Sequence, residues 1–141
     1  MSVRVVNATK QHLDASLIKR AVEGTLKKMK KRGDISVVAI GDQRMRTLNR
    51  NYRGKDRVTD VLSFCEAESE IPETGFLGEL FINCNTIRKQ AKLFAPSYRY
   101  ELAFITIHGT LHLLGYEDES EEGRVLMERL GMAIIKTVRL R

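Results

Sequence analysis

The sequence predicts a mixed α+β fold, with one sheet of about four strands covered by about five helices. Three observations carry this. Short apolar runs of strand length and longer stretches with apolar residues at helical spacing are interleaved along the chain. The two prolines, Pro72 and Pro96, fall between periodic segments rather than inside them. No repeat, low-complexity tract or Pro/Ser-rich linker interrupts the 141 residues, so one domain over 1–141 is expected.

In chain order, VRVV reads as a short strand. Thr9 can cap the helix that follows, in which Leu13, Leu17, Ile18, Ala21, Val22, Leu26 and Met29 recur before Gly33. ISVVAI is β-branched and apolar, as a central strand buried on both faces would be, and Asp42 opens a helix through Leu48. A charged loop comes next. TDVLSF and LGELFIN then read as neighbouring strands, with turn residues Pro72 and Gly75 in the connection Ile71–Gly75. Helices are expected from Asn85 to Phe94, from Tyr98 to Leu114 with Gly115 as its stop, and from Ser120 to Val138. The last of these has Val125, Leu126, Leu130, Ile134 and Val138 on one face.

Composition narrows the function class. Apolar stretches fall short of the roughly 18 residues a membrane helix needs. The N-terminus MSVRVVNATK has no basic segment followed by an apolar run and a cleavage site, so a soluble, cytoplasmic protein is expected. Cys65 and Cys84 lack CxxC spacing, which predicts two reduced cysteines rather than a disulfide or zinc ribbon. Lys and Arg number 24 against 18 Asp and Glu, a balance of +6 that favours polyanionic partners.

His108 and His112 stand four residues apart in a helical stretch, so both rings share one face at metal-ligand spacing. Each could equally be a hydrogen-bonded residue on an apolar helix. Gly115 then turns the chain through Tyr116, Glu117 and Asp118. Asp118 is the candidate third ligand, although the acidic run EDESEE before a helix also suits capping and the helix dipole. A zincin peptidase carries glutamate directly after its first histidine, whereas this chain has Gly109, which disfavours that mechanism and leaves room beside a metal for substrate.

HGTLHLLGYED resembles the signature of the YbeY endoribonuclease family. NYRGKDRVTDVLSF resembles its second characteristic segment, and the GEL of LGELFIN resembles the strand that follows. The resemblance spans nearly the whole chain. It departs at one position: family members usually carry a third histidine where this sequence has Asp118, a harder ligand that is still legitimate for zinc. The resemblance implies one divalent transition metal per chain, most readily zinc, on His108, His112 and Asp118. It also implies a single-strand-specific endoribonuclease of ribosomal RNA maturation and ribosome quality control, with single-stranded RNA, ribosomal RNA and the ribosome as partners.

Arg53 corresponds to the family's functional arginine and is the candidate catalytic phosphate clamp; pairing with Asp56 is the local alternative. Lys55 and Arg57 are candidate substrate-binding residues that, with Arg50, make the same segment basic. KKMKKR, from Lys27 to Arg32, reads as a solvated helix end. Tyr98 and Tyr100 read as core or rim, and His12 as structural or exposed. Glu117, Asp60 and Glu79 are possible general acids, none singled out by spacing. Two rival functions stay open: a non-catalytic RNA-binding ribosome-assembly factor with a structural metal, and a metal hydrolase acting on peptides or small esters.

Overall fold

The structure is a computed structural model that describes residues 2–66 and 75–141. The elements are β1 (Val3–Asn7), α1 (Ala15–Lys28), β2 (Asp34–Ala39), α2 (Asp42–Arg53), β3 (Val61–Cys65), β4 (Phe76–Ile82), α3 (Cys84–Phe94), α4 (Tyr98–Leu113) and α5 (Glu121–Ile135). The four-stranded sheet has the order β1-β2-β4-β3. The first three strands run parallel, and β3 pairs antiparallel with β4 along the edge. The fold class and the order of elements match the expectation. Most of the expected turn Ile71–Gly75 lies outside the described residues.

One face of the sheet carries the main core. Ile35, Val37, Ala39, Leu80 and Ile82 pack against Leu17, Ile18, Ala21 and Val22 of α1 and Leu102, Ile107 and Leu111 of α4, all at most 1% exposed. Among the described residues the other face is covered by α2, through a small cluster of Ile40, Met45 and Leu62 with Val38, Phe64 and Phe81 at its margin. The expectation that β2 is buried on both faces is therefore corrected. Its residues alternate between buried and half-buried, because a single short helix backs that side.

Three boundaries and one buried stripe differ from the sequence reading. Asp14 rather than Thr9 caps α1, its carboxylate accepting from Leu17 N–H at 3.1 Å. Thr9 stays in the preceding turn, donating to Asn7 Oδ1 at 2.6 Å and accepting from Gln11 N–H at 3.2 Å. Such local bonds compete with helix formation. The helix ends before Gly33, at Lys28 with Met29 as its cap, and Lys30 after it has a left-handed φ of 56°. There Lys30 N–H bonds Lys27 O and Lys31 N–H bonds Leu26 O, a Schellman closure. α2 continues past Leu48 to Arg53, so Arg50 and Arg53 are helical rather than in a loop. On α5 the buried residues are Met127, Gly131, Ile134 and Ile135, while Val125 and Leu126 are 40% and 42% exposed. The buried stripe is rotated from the expected one because α4, not the sheet, is its main partner.

Candidate metal centre and cleft

α4 is apolar nearly all round and lies at the middle of the helical layer, touching α1, α3, α5 and the sheet. Gly109 faces the sheet. A Cβ there would sit 3.0 Å from Val61 Cγ2 and 3.1 Å from Leu80 Cδ2, so the missing side chain is what lets the helix approach the strands. The expectation that Gly109 leaves room for substrate is thus corrected, since its space is occupied by β3 and β4. Ser63 Oγ of β3 donates to Gly109 O at 3.1 Å, tying the strand to the turn of α4 that carries the histidines.

His108 and His112 project from that turn with side chains 28% and 27% exposed. Gly115, at φ 99°, reverses the chain after the helix, as a left-handed position favours glycine. The reversal brings the Tyr116 carbonyl within 2.9 Å of His112 Nδ1. A carbonyl only accepts, so Nδ1 carries the proton and the Nε2 lone pair faces the cluster. Two residues later Asp118 Oδ2 lies 3.1 Å from His108 Nε2 and 3.4 Å from His112 Nε2, and the two nitrogens are 3.2 Å apart.

These spacings test the fit of a metal. Donors bound tetrahedrally at about 2.0–2.1 Å stand about 3.3–3.4 Å from one another. The three atoms already approach that triangle, and two imidazoles with a carboxylate suit zinc or a similar divalent ion. Burial, followed by the neighbouring His112 ring, pushes the His108 pKa below its usual value, against the weaker pull of Asp118 and Asp60. His108 is therefore neutral, and able to donate electrons, at pH 7.

The capping role weighed for Asp118 is filled by its neighbours. Ser120 Oγ accepts from Gly123 N–H at 3.0 Å at the start of α5. Glu117 accepts from Glu119 N–H at 2.7 Å, from Ser120 N–H at 3.2 Å and from Ser120 Oγ at 2.8 Å. The Ser120 bonds, first the hydroxyl's, hold the Glu117 carboxyl below the usual carboxylate range, which makes it a poor proton donor. Of the other candidate acids, Glu79 sits by strand alternation on the α2 side of β4. Asp60 lines the cleft and accepts from Gln90 Nε2 at 3.0 Å.

The centre opens into a cleft of about 930 Å³ between α2, β3 and the α4–α5 turn. Arg53, Lys55 and Arg57 all line it, together with the carboxylates Asp60, Glu117, Asp118 and Glu119. With acids this numerous, the cleft attracts an anion strongly only once a divalent cation is present. Arg53 does not pair with Asp56, whose carboxylate is taken by Arg46 at 2.8 Å and Arg50 at 3.8 Å. Instead Arg53 Nη2 donates to the Ser63 carbonyl at 3.0 Å, and its remaining N–H groups make no further hydrogen bond among the described residues. Buried Asn49 donates to Arg57 O at 2.9 Å and holds the basic segment against α2.

Sequence reasoning missed the cleft's aromatic wall. Tyr52, 67% exposed, stands edge-on to Phe64 with ring centroids 5.4 Å apart. Its neighbour relation to Arg53 is visible in the sequence, but its exposure is not. Tyr98 is covered by the Arg88 guanidinium at 4.5 Å, and Tyr100 stacks on Phe104 at 6.1 Å, so both belong to the core and its rim. Among the described residues no helix is long and apolar enough to cross a membrane.

Comparison with known proteins follows the same lines. The sequence pattern of the family described as Endoribonuclease YbeY matches residues 4–139. An Endoribonuclease YbeY of Thermodesulfovibrio yellowstonii is 42% identical over 106 residues, 74% of this chain and 67% of that protein. One from Carboxydothermus hydrogenoformans is 39% identical over 115 residues, covering 81% and 79%. The solution structure of TM1509 from Thermotoga maritima superposes with a TM-score of 0.68 at 26% identity, covering 96% of this chain and 88% of that one. Matched over residues 4–139 by this pattern and over 74% and 81% of its length by these two relatives, the chain belongs to the Endoribonuclease YbeY family.

Proposed function

We propose that this protein is a metal-dependent, single-strand-specific endoribonuclease that acts in the cytoplasm on ribosomal RNA, in its maturation and in quality control of the ribosome. The observation that carries the reading is the triangle of His108 Nε2, His112 Nε2 and Asp118 Oδ2, with sides of 3.1, 3.2 and 3.4 Å, in a cleft shared with Arg53. Those three residues would hold one divalent ion, most readily zinc. When bound, such an ion lowers the pKa of its water to about 7 and neutralises phosphate oxygens.

The chain's own residues do the rest. His112 is oriented by Tyr116 O, and His108 is kept neutral by burial. Arg53, anchored by one hydrogen bond, presents its other donors to two phosphate oxygens. Lys55 and Arg57 continue the positive track along the backbone. Exposed Tyr52 offers a ring on which an unpaired base stacks, which favours single strands over duplex. Among the described residues three protein donors are brought together, which leaves positions for solvent and substrate, as catalytic rather than saturated structural sites do.

The test is cleavage of single-stranded RNA, matched duplex and a peptide by zinc-loaded protein, with Arg53→Ala and His112→Ala alongside. Single-stranded RNA alone should be cut, with Arg53→Ala slower by about 10²–10³-fold, the scale of losing a charge-stabilising donor. RNA bound but uncut by loaded wild type would make the protein a binding factor instead.

A further inference from the structure

A second basic groove of about 890 Å³ lies away from the cleft, between α1 and the chain that follows α5. Arg20, Lys27, Lys30, Lys31, Arg32 and Arg139 line it, against the single carboxylate of Glu23. The six cations come from three separate stretches: the helix, the turn after it and the C-terminal segment. Arg20 has a structural task. Its guanidinium donates to the carbonyls of Arg139 and Arg141 at 2.9 Å each, strapping the C-terminal segment beside α1. The other five are exposed, and none forms an ion pair among the described residues.

The helix dipole does not account for this cluster. Its influence fades within the last turn, where Lys27 and Lys28 already stand. The final carbonyls of α1 need no lysine either, because Lys27 O and Leu26 O are bonded by the backbone N–H groups of Lys30 and Lys31. Lys30 is the telling residue. It occupies the left-handed position of the Schellman turn, where glycine carries no steric cost, and so a cation is kept at a strained site on the rim of the groove.

The groove and the metal centre share one end of the sheet. The chain leaving α1 enters β2 at Asp34, beside Phe76 at the start of β4. Cys65, which contacts the His112 carbonyl, pairs with Gly78 two residues further along β4. A polynucleotide longer than the cleft would pass around that end of the sheet for its flanking backbone to meet the groove.

We infer that this groove is a second docking site for the phosphodiester backbone of the RNA substrate, outside the segment held in the cleft. The inference rests on the proposed action on RNA. Lys27, Lys31, Arg32 and Arg139 supply mobile cations that contact phosphates without reading sequence, and Lys30 fixes one at the turn.

The experiment measures binding of two single-stranded RNAs, made resistant to cutting by a 2′-O-methyl phosphorothioate backbone, to zinc-loaded protein by fluorescence anisotropy over a series of salt concentrations, with an unmodified copy of the short one kept for cleavage. One RNA is short enough to fill the cleft alone; the other is several times longer. The variant combines Lys27→Gln, Lys30→Gly and Lys31→Gln, and Lys30→Gly should itself raise the melting temperature, so the fold is preserved. A salt slope of about 0.7 per contact amounts to roughly fourfold per contact at about 0.15 M salt. The variant should therefore bind the long RNA at least about tenfold more weakly, with a shallower salt slope, and bind the short RNA as wild type does.

Unchanged long-RNA binding, or equal weakening of both RNAs, would overturn the inference. Loss of binding to anionic phospholipid vesicles with RNA binding intact would reassign the groove to a membrane surface and also overturn it. Failure of metal-loaded wild type to cut the short RNA would instead defeat the proposed function, whatever the groove does.

Discussion

Replacing Asp118 by alanine separates ligation from capping by calorimetry. The mutation removes a carboxylate oxygen that lies 3.1 and 3.4 Å from the two imidazole nitrogens and leaves the caps at Ser120 and Glu117 in place. Without metal the folded state should change by no more than about 0.5 kcal/mol, as for an ordinary surface position. With zinc at about 1,000 times its Kd, wild type should gain about 4 kcal/mol. For a chain of this size that is a rise in Tm of roughly 12–16 °C, at about 3–4 °C per kcal/mol. Loss of one donor should weaken binding by at least the roughly 10–100-fold seen when supporting residues are removed. About 1.4–2.7 kcal/mol of the zinc increment would vanish. Ser120→Ala is the reciprocal control: it should cost about 1 kcal/mol with or without metal and keep the zinc increment whole. Calorimetric scans of metal-free and zinc-supplemented protein read both quantities. An Asp118→Ala protein that keeps the full zinc increment, or that loses about 1 kcal/mol when metal-free, would refute ligation by this carboxylate.

Three further outcomes follow from the geometry. Gly109→Ala should destabilise by about 1 kcal/mol in urea unfolding, because overpacking against fully buried Leu80 costs about 1–3 kcal/mol and outweighs a helix-propensity gain of up to about 1 kcal/mol. A stabilised variant would show that β3 and β4 yield easily. Burial, and after it the charge of Asp60, raises the Glu101 carboxyl above its ordinary 4.5. Its favourable contribution is present below that value and lost as pH rises through the folded one, so Glu101→Gln should be more stable than wild type at pH 7 and indistinguishable near pH 4. Equal stability at both pH values would count against the burial effect. Tyr52→Ala should weaken single-stranded RNA binding by about 1–3 kcal/mol while leaving Tm unchanged, as its side chain is largely exposed; a drop in Tm instead would make it a packing residue.

The parts of the site legible in the sequence are those set by a local repeat. The spacing of four from His108 to His112 puts both rings on one helical face whatever surrounds the helix. Asp118 was ambiguous because ligation and capping both ask for a carboxylate just after Gly115, and the choice depends on where Glu117 and Ser120 already sit. Gly109 was misread for a related reason. A helix that is apolar all round does not declare which side meets the sheet, and α4 is such a helix. The same absence of a polar face in its partner hid the true buried stripe of α5. The extension of α2 to Arg53 escaped notice because Asn49–Arg53 has no apolar periodicity. What supports it there is one buried polar side chain, Asn49, holding the chain eight residues on.

The hydrogen bond from Arg53 to Ser63 O has a consequence for solubility. β3 is the outermost strand of its side of the sheet, and an uncovered edge is a template on which another copy's strand can add. The guanidinium shields a backbone acceptor on that edge. Because that bond is the anchor from which the other donors would meet a phosphate under the proposed function, the edge is guarded with or without RNA. Arg53→Ala lacks this protection, and concentration-dependent self-association of the variant would mark the residue as guardian of the strand as well as proposed partner of the phosphate.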